Sequence, residues 1–228
     1  MLKCILGNAI NGSEWAESVW RFRHKHFVDR LGWEDLRKAD GLEIDQFDTP
    51  DAVHLVLISD GTVVGYSRLL PTTRPHLLSD VYPEVAHGHD YPKGPLVYEW
   101  TRCIAEPDTS ILGVLAANML LTGVLEFCLV TGIEALIVET HPKLVNLLVS
   151  TGWDVEPFAA PSDLSGHLVV PICAKPLRSA LTISHEQQGI NGSVLDIADG
   201  DTSPLNGEQL RPFLTAHTKT NTQVVDYA

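Results

Sequence analysis

Six charged residues stand inside or beside apolar runs of this chain: Arg23, Asp45, Asp48, Arg68, Glu99 and Arg102. Charge is expensive to bury unless it is paired, so residues of both signs in such positions point to one place where guanidinium and carboxylate groups meet. Asp45 and Asp48 are three apart in "GLEIDQFDTP", beside Ile44 and Phe47. A single helical turn there would put the two carboxylates on one side, facing a cation, and the two apolar anchors on another. Glu99 and Arg102 share the run "YEWTRCIA" with Trp100 and Thr101. Taken singly, each has an ordinary use: Arg23 as a solvated helix residue, Asp45 and Asp48 as turn formers before Pro50, Arg68 on an edge strand, Glu99 with Arg102 as a structural ion pair, Trp33 in the core. The pattern acquires meaning only as a set.

Other chemistries find less support. Cysteines at 4, 103, 128 and 173 form no CxxC pair, so neither a disulfide framework nor a zinc site is signalled. "HGHD" at 87–90 belongs to no HExxH or Cys/His spacing, and "DQFDTPD" lacks the glycine and alternating oxygen ligands of a calcium loop, so no metal is expected. GxSxG, P-loop and GxGxxG patterns are absent. A net charge of −13 argues against nucleic acid, which is bound through clustered Lys and Arg. The basic residues are also unevenly spread, because residues 103–177 carry only Lys143 and Lys175 against eight acids.

The elements that would hold these residues can be read from periodicity. "SEWAESVWRFRHKHFVDRLGW" predicts a helix opened by Ser13 and ended by Gly32, and "AVHLVLISDGTVVGYSRLLP" predicts two antiparallel strands, 52–58 and 62–70, turned by Asp60-Gly61. Residues 71–95 read as loops with one helical turn, and "PLVYEWTRCIA" as a strand. "SILGVLAANMLLTGVLEFCLV" is apolar enough for a membrane span, but Asn118, Thr122 and Glu126 recur every four residues, which suits a buried amphipathic helix better. "GIEALIVET", "HPKLVNLLVSTGW" and "HLVVPICA" follow as strand, helix and strand. This order implies an α/β fold with a twisted mixed sheet flanked by helices.

With 44% hydrophobic residues and a mean hydropathy of +0.05, the 228 residues suffice for one large domain over 1–177. Beyond Arg178 the sequence turns polar, and residues 178–228 read as a peripheral extension with short helices around 193–198 and 206–216. The start, "MLKCILGNAINGSEWAE", turns polar too early for a signal-peptide core, which points to the cytoplasm and to no membrane partner.

In order, "RHKHFVDRLGW", "EIDQFD", "GYSRLLPTT" and "YEWTRCIAEP" form a dispersed pattern that resembles the acyl-homoserine-lactone synthases, the autoinducer synthases of bacterial quorum sensing. The resemblance covers about residues 1 to 175. Carried over residue by residue, the family's functional positions fall on Arg23, Phe27, Trp33, Asp45, Asp48, Arg68, Glu99 and Arg102; a ninth, phenylalanine in the family, is Tyr82 here. The resemblance implies a three-layer α-β-α fold like that of the GCN5-related N-acetyltransferases, with the central sheet splayed. "RCIAEPDTS" replaces the RxxGxG phosphate loop of ordinary acetyltransferases, which makes that activity the weaker expectation.

The implied reaction moves an acyl group from a thioester to the α-amine of S-adenosylmethionine, then closes the lactone and releases methylthioadenosine, with no further cofactor. Such a substrate asks for carboxylates, an aromatic face and a guanidinium. Asp45, Asp48 and Trp33 suit the first two, with Phe27 and Tyr82 as neighbours; Arg23, Arg68 or Arg102 either takes the carboxylate or braces the aspartates. Glu99 is the candidate general base, directly or through water, with Arg102 beside it, and backbone amides near Trp100 to Arg102 are placed for the oxyanion. Trp100, Thr101, Thr140 and Trp153 are candidates for the thioester and acyl pocket, and two tryptophans there favour short, branched or aromatic acyl groups. The acidic 103–177 region favours acyl-coenzyme A over an acidic acyl carrier protein as donor. A separate receptor would read the product. The competing readings are an N-acyltransferase acting on another amine and a non-catalytic relative that kept the ligand site.

Overall fold

The computed structural model describes residues 2–7, 9–164 and 166–197. The chain begins with strand β1 (Leu2–Leu6), a short helix α1 (Ala9–Gly12) and helix α2 (Ala16–Arg23), which widens into a π-helical stretch over His24–Arg30. The helix starts later than Ser13, whose hydroxyl instead accepts the Trp15 N–H at 3.3 Å. Gly32, at φ 75°, ends the segment where expected.

Strands β2 (Val53–Ser59) and β3 (Thr62–Pro71) form the expected hairpin. Asp60 and Gly61, at φ 48° and 73°, supply the two left-handed positions of its turn. Residues 71–95 hold one helical turn, α3 (Leu77–Asp80), and a 3-10 turn over Pro83–Ala86, before strand β4 (Val97–Ala105). The helix expected from Ser110 is shorter: its first six residues make a small hairpin, β5 (Ser110–Ile111) and β6 (Val114–Leu115), and helix α4 runs over Ala116–Thr131. Leu112 and Gly113, at φ 52° and 86°, turn the chain there.

Strand β7 (Ala135–Thr140), helix α5 (Pro142–Ser150), strands β8 (Asp154–Pro157), β9 (Ser162–Leu164) and β10 (His167–Lys175), helix α6 (Arg178–Gln188) and strand β11 (Leu195–Ile197) complete the described chain. A strand, not a helix, thus forms around 193–198, because its backbone finds a partner in β1. The helix expected around 206–216 lies outside the described residues.

The main sheet runs β11-β1-β2-β3-β4-β7-β10-β8, with β9 on β10. Two of its pairings, β1 with β11 and β4 with β7, are parallel and the rest antiparallel, so the sheet is mixed. One face carries the larger core, where Trp100, Leu136 and Val138 of the sheet meet Leu121, Val124 and Leu125 of α4, Leu148 of α5 and Leu181 of α6. On the other face Val19, Trp20 and Phe22 of α2 cover Val56 and Tyr66, and Leu78 and Val85 cover Ile137. This is the expected three-layer arrangement.

The polar stripe of α4 faces the C-terminal segment. Asn118 Nδ2 donates to Gln188 Oε1 at 2.8 Å, the hydroxyls of Thr122 and Ser184 meet at 2.6 Å, and the buried Glu126 carboxylate accepts the N–H groups of Val194 and Leu195 and the Ser193 hydroxyl. Among the described residues, no helix is long and apolar enough to cross a membrane.

Two irregularities set up the site. Between β3 and β4 the register slips by one residue, since Tyr66 faces Ile104 while Arg68 faces Thr101, and Arg102 sits at the bulge with φ 55°. Between β4 and β7 pairing covers only Val97–Glu99 against Ala135–Ile137, although both strands continue. Past Glu99 the sheet is splayed.

Candidate active site

Side chains on successive strand residues point to opposite faces, so Arg68 and its partner Thr101 share one face. A regular strand would send Arg102 to the opposite face. The bulge turns it back beside Arg68, at the cost of a left-handed backbone that a non-glycine residue rarely adopts. α2 supplies Arg23, and the turn at 45–48 supplies the aspartates. The Asp48 N–H donates to the Asp45 carbonyl at 3.2 Å, and the Asp45 N–H to Asp48 Oδ2 at 2.8 Å. Phe47 plugs the turn into a core patch with Ala52, Leu70 and Leu77, while Ile44 packs against the α2 cluster.

Three buried guanidinium groups meet three buried carboxylates here. Arg68 Nη1 donates to Asp45 Oδ1 and Asp48 Oδ1, both at 2.7 Å, its Nη2 to Asp45 Oδ2 at 2.9 Å and its Nε to Thr101 Oγ1 at 3.1 Å. Arg23 Nη1 donates to Asp48 Oδ1 at 2.7 Å, and its Nε pairs with Glu43. Arg102 Nη2 reaches Glu43 Oε1 at 3.1 Å and Asp45 Oδ2 at 3.0 Å. Glu43 had not been singled out from the sequence. Burial alone would raise these carboxyls, but the arginines outweigh it and hold Glu43, Asp45 and Asp48 below the usual carboxylate range. Each nitrogen of Arg68 has an acceptor, whereas Arg23 Nη2 and Arg102 Nε are buried without one.

Aromatic rings complete this half of the site. Arg102 lies 5.3 Å from the Phe27 ring centre and 5.0 Å from that of Trp33, and the two rings are 5.1 Å apart. Arg23 is held between Trp20 and Tyr66, at 5.0 and 5.2 Å. The Tyr66 hydroxyl also lies 2.7 Å from Nδ1 of His54, a wholly buried imidazole whose pKa burial pushes down to about 3.

Glu99 lies on the same face as Arg68, fully buried at the lip of the splay. Its two oxygens accept the N–H groups of Leu77 and Leu78, at 2.8 and 2.7 Å, at the start of α3. Burial raises its pKa, against the pull of those two donors. Tyr82 stands with Glu99 and with Glu139 of β7; burial first, and then these two acids, raise its hydroxyl well above the usual value.

The remaining candidates occupy the opposite face. Trp100 donates to the Ser67 hydroxyl at 2.5 Å, and its ring stacks on Trp153 at 5.8 Å and 24°. Thr140, half-buried at the end of β7, faces Val170. The structure therefore gathers Arg23, Phe27, Trp33, Asp45, Asp48, Arg68, Thr101 and Arg102 in one cluster, puts Glu99 and Tyr82 beside the splay, and keeps Trp100, Thr140 and Trp153 behind it.

The family model described as "Autoinducer synthase" matches residues 9–171. The chain belongs to that family. Isovaleryl-homoserine lactone synthase of Bradyrhizobium diazoefficiens is 32% identical over 174 residues, 76% of this chain and 78% of that one. An acyl-homoserine-lactone synthase of Acinetobacter nosocomialis is 30% identical over 175 residues, 73% of this chain and 95% of its own. Among solved structures, the CoA-dependent acyl-homoserine lactone synthase BjaI with MTA superposes with a TM-score of 0.80 at 30% identity, covering 88% of this chain and 94% of that one. The BjaI structure with SAM and isopentyl-CoA gives the same score at 29%.

Proposed function

We propose that this chain makes an N-acyl-L-homoserine lactone from S-adenosyl-L-methionine and acyl-coenzyme A, releasing methylthioadenosine, and that the candidate residues divide the work by their position around the splay. The observation that supports the division is the joining of a carboxylate-, guanidinium- and ring-lined cluster to a buried carboxyl at the point where β4 and β7 part.

Asp45 and Asp48 face the cationic groups of S-adenosylmethionine, and Phe27 and Trp33 lie against its sulfonium or adenine. Arg68, with three of its hydrogen bonds on Asp45 and Asp48, braces the aspartates. Arg23 Nη2 and Arg102 Nε, buried donors with no acceptor, suit the substrate carboxylate. Glu99, directly or through water, takes the proton that the α-ammonium must lose before it attacks. Backbone amides near Trp100 to Arg102, beyond the last β7 pairing, stabilise the oxyanion. The C–N bond forms, the C–S bond of the thioester breaks, and the thiolate leaves and is protonated. One carboxylate oxygen of the acylated substrate then displaces the sulfonium at the neighbouring carbon, and neutral methylthioadenosine departs.

The acyl chain passes through the splay to the face where Trp100 and Trp153 stack. That closed wall suits a short or branched acyl group, and a relative of this chain is named for the isovaleryl product. Acyl-coenzyme A is favoured because residues 103–177 offer two basic side chains against eight acids, a poor surface for an acidic acyl carrier protein, and because BjaI is described as CoA-dependent. We place the reaction in the bacterial cytoplasm, with a separate receptor for the product.

Incubation with S-adenosylmethionine and acyl-coenzyme A should release methylthioadenosine and a lactone. Glu99→Gln should lower kcat by roughly 10²–10⁴-fold while leaving S-adenosylmethionine binding measurable. The double change Asp45→Asn with Asp48→Asn should abolish that binding, and unchanged binding would refute the assignment. Acylation of some other amine would instead indicate a broader N-acyltransferase, and ligand binding without turnover a non-catalytic relative.

A further inference from the structure

Glu139 stands on β7 two residues beyond Ile137, the partner of Glu99. Strand alternation therefore puts the carboxyls of Glu99 and Glu139 on one face as diagonal neighbours, at the point where pairing between their strands ends. The charge of Glu99 acts on the Glu139 carboxyl. Glu99 has no exposed surface, and each of its oxygens is already fastened to a backbone N–H at the start of α3. Glu139 is half-buried, and its Oε1 is buried with no hydrogen-bond partner.

The surroundings offer little to neutralise two negative charges. Tyr82, from the turn after α3, faces both acids as a neutral phenol. His76 at the start of α3 and Arg68 of β3 act on Glu99, and Arg68 is already committed to Asp45 and Asp48. Arg102 of β4 reaches as far as Tyr82 but is paired with Glu43 and Asp45. Two neighbouring carboxylates in such a place resist ionising together at neutral pH, whereas one proton between them removes a charge and makes a hydrogen bond.

We propose that Glu99 and Glu139 work as one carboxyl pair holding a single proton between them, with Glu139 as the positioning and proton-sharing partner of the base. This rests on the synthase reading above. Burial, and then the charge of Glu99, push Glu139 well above the ordinary carboxylate range, which agrees with the pair staying singly protonated. The pair takes one proton from the α-ammonium, leaving a neutral amine and two protonated carboxyls. As the C–N bond forms and the C–S bond breaks, the pair returns a proton to the departing thiolate, and the second proton of the nitrogen leaves to water. Glu139 differs from a structural acid in that it sets how strongly Glu99 holds the incoming proton.

The test compares wild type, Glu139→Gln and Glu139→Leu with S-adenosylmethionine and acyl-coenzyme A across pH. The shared proton stabilises the base form best, an amide N–H less well and a leucine not at all. The midpoint of the acid limb of methylthioadenosine release should therefore rise in the order wild type, Glu139→Gln, Glu139→Leu. Infrared spectra at neutral pH should show a protonated carboxyl in the wild type that Glu139→Gln removes. Equal midpoints, or a carboxyl band that Glu139→Gln leaves unchanged, would overturn the proposal. Should Glu139→Leu fail to fold, Glu139→Gln and the infrared band decide. A wild type that releases no methylthioadenosine would sink the synthase reading, while the band would still report on the pair.

Discussion

Glu43 balances the third guanidinium of the buried cluster, receiving both Arg23 and Arg102. Glu43→Ala removes that balance, and breaking a buried ion pair costs about 3–5 kcal/mol. At roughly 2–4 °C per kcal/mol for a domain of this size, calorimetry should find the thermal midpoint lower by about 10 °C. An unchanged midpoint would mean that the cluster does not depend on it. Glu43 lies in the same stretch two residues before Asp45, but on the sequence Glu99 already balances the third arginine, and only its attachment to the N–H groups of Leu77 and Leu78 leaves that cation for Glu43. Glu139 was not within reach of the sequence: it ends the apolar run "ALIVET" like any boundary acid, and only the register of β7 against β4 brings it to Glu99. These acids also give stability a signed pH dependence. Glu43, Asp45 and Asp48, held low, contribute stability that is present above the ordinary carboxylate pKa and lost as pH falls below it. Glu99 and Glu139, held high, favour the folded state at low pH and lose that contribution as pH rises above the ordinary value. Denaturant titrations should therefore place maximum stability in mild acid, and Glu139→Gln should flatten the decline on the neutral side. A decline of the same slope in that variant would contradict the assignment.

Elements explain why these residues meet. The β4 bulge at Arg102 turns a side chain that regular alternation would bury on the tryptophan face back into the cation site. No local signal announces it, since the residue at φ 55° is arginine rather than glycine. The small hairpin over 110–115 was hidden for a similar reason: "SILGVL" has the composition of a helix start, and its turn uses Leu112-Gly113 instead of a common turn pair. The β2–β3 hairpin, by contrast, was legible from Asp60-Gly61 alone. Behind the splay Trp100 stacks on Trp153 as the proposed wall of the acyl side, and Trp153 also lines the pocket between α4 and α6 with Leu121, Leu125 and Ser184. Trp153→Ala should open one space into the other and move preference towards longer acyl donors. One or two methylenes accommodated in an apolar pocket are worth about 1–3 kcal/mol, so kcat/KM for a longer relative to a shorter acyl-coenzyme A should rise roughly 10- to 200-fold. An unchanged ratio would place the acyl chain elsewhere.

Across the whole molecule, the central strands of the mixed sheet and helices α2, α4 and α5 follow from the periodicity of the apolar runs, whereas α6 lies in the stretch that reads as a polar extension. The edges of the sheet do not follow from it either. Strand β11 joins β1 through a contact spanning nearly the whole described chain, and such long-range pairing leaves no mark in the local pattern of either strand. The polar stripe on α4 was visible, but not what it would meet, which is α6 and the segment at 193–195. Glu126→Ala would leave the buried Val194 N–H without its acceptor, and the Leu195 N–H and the Ser193 hydroxyl with only their contacts to Ser193 Oγ and the Leu195 carbonyl. At roughly 1–3 kcal/mol for a buried polar group left unpaired, the variant should lose about that much and show faster hydrogen exchange at 194–197 than in the rest of the sheet. Unchanged exchange there would show that β11 is held by other contacts. In the proposed reaction the cluster and the splay together turn S-adenosylmethionine and an acyl thioester into a lactone. Its most direct measurement is mass spectrometry of the products formed by the purified protein from S-adenosylmethionine and short-chain acyl-coenzyme A. Acyl-homoserine lactone and methylthioadenosine in equal amounts, both lost in Glu99→Gln, are the predicted result; an acylated amine with no methylthioadenosine, or equal yields from wild type and Glu99→Gln, would contradict the account.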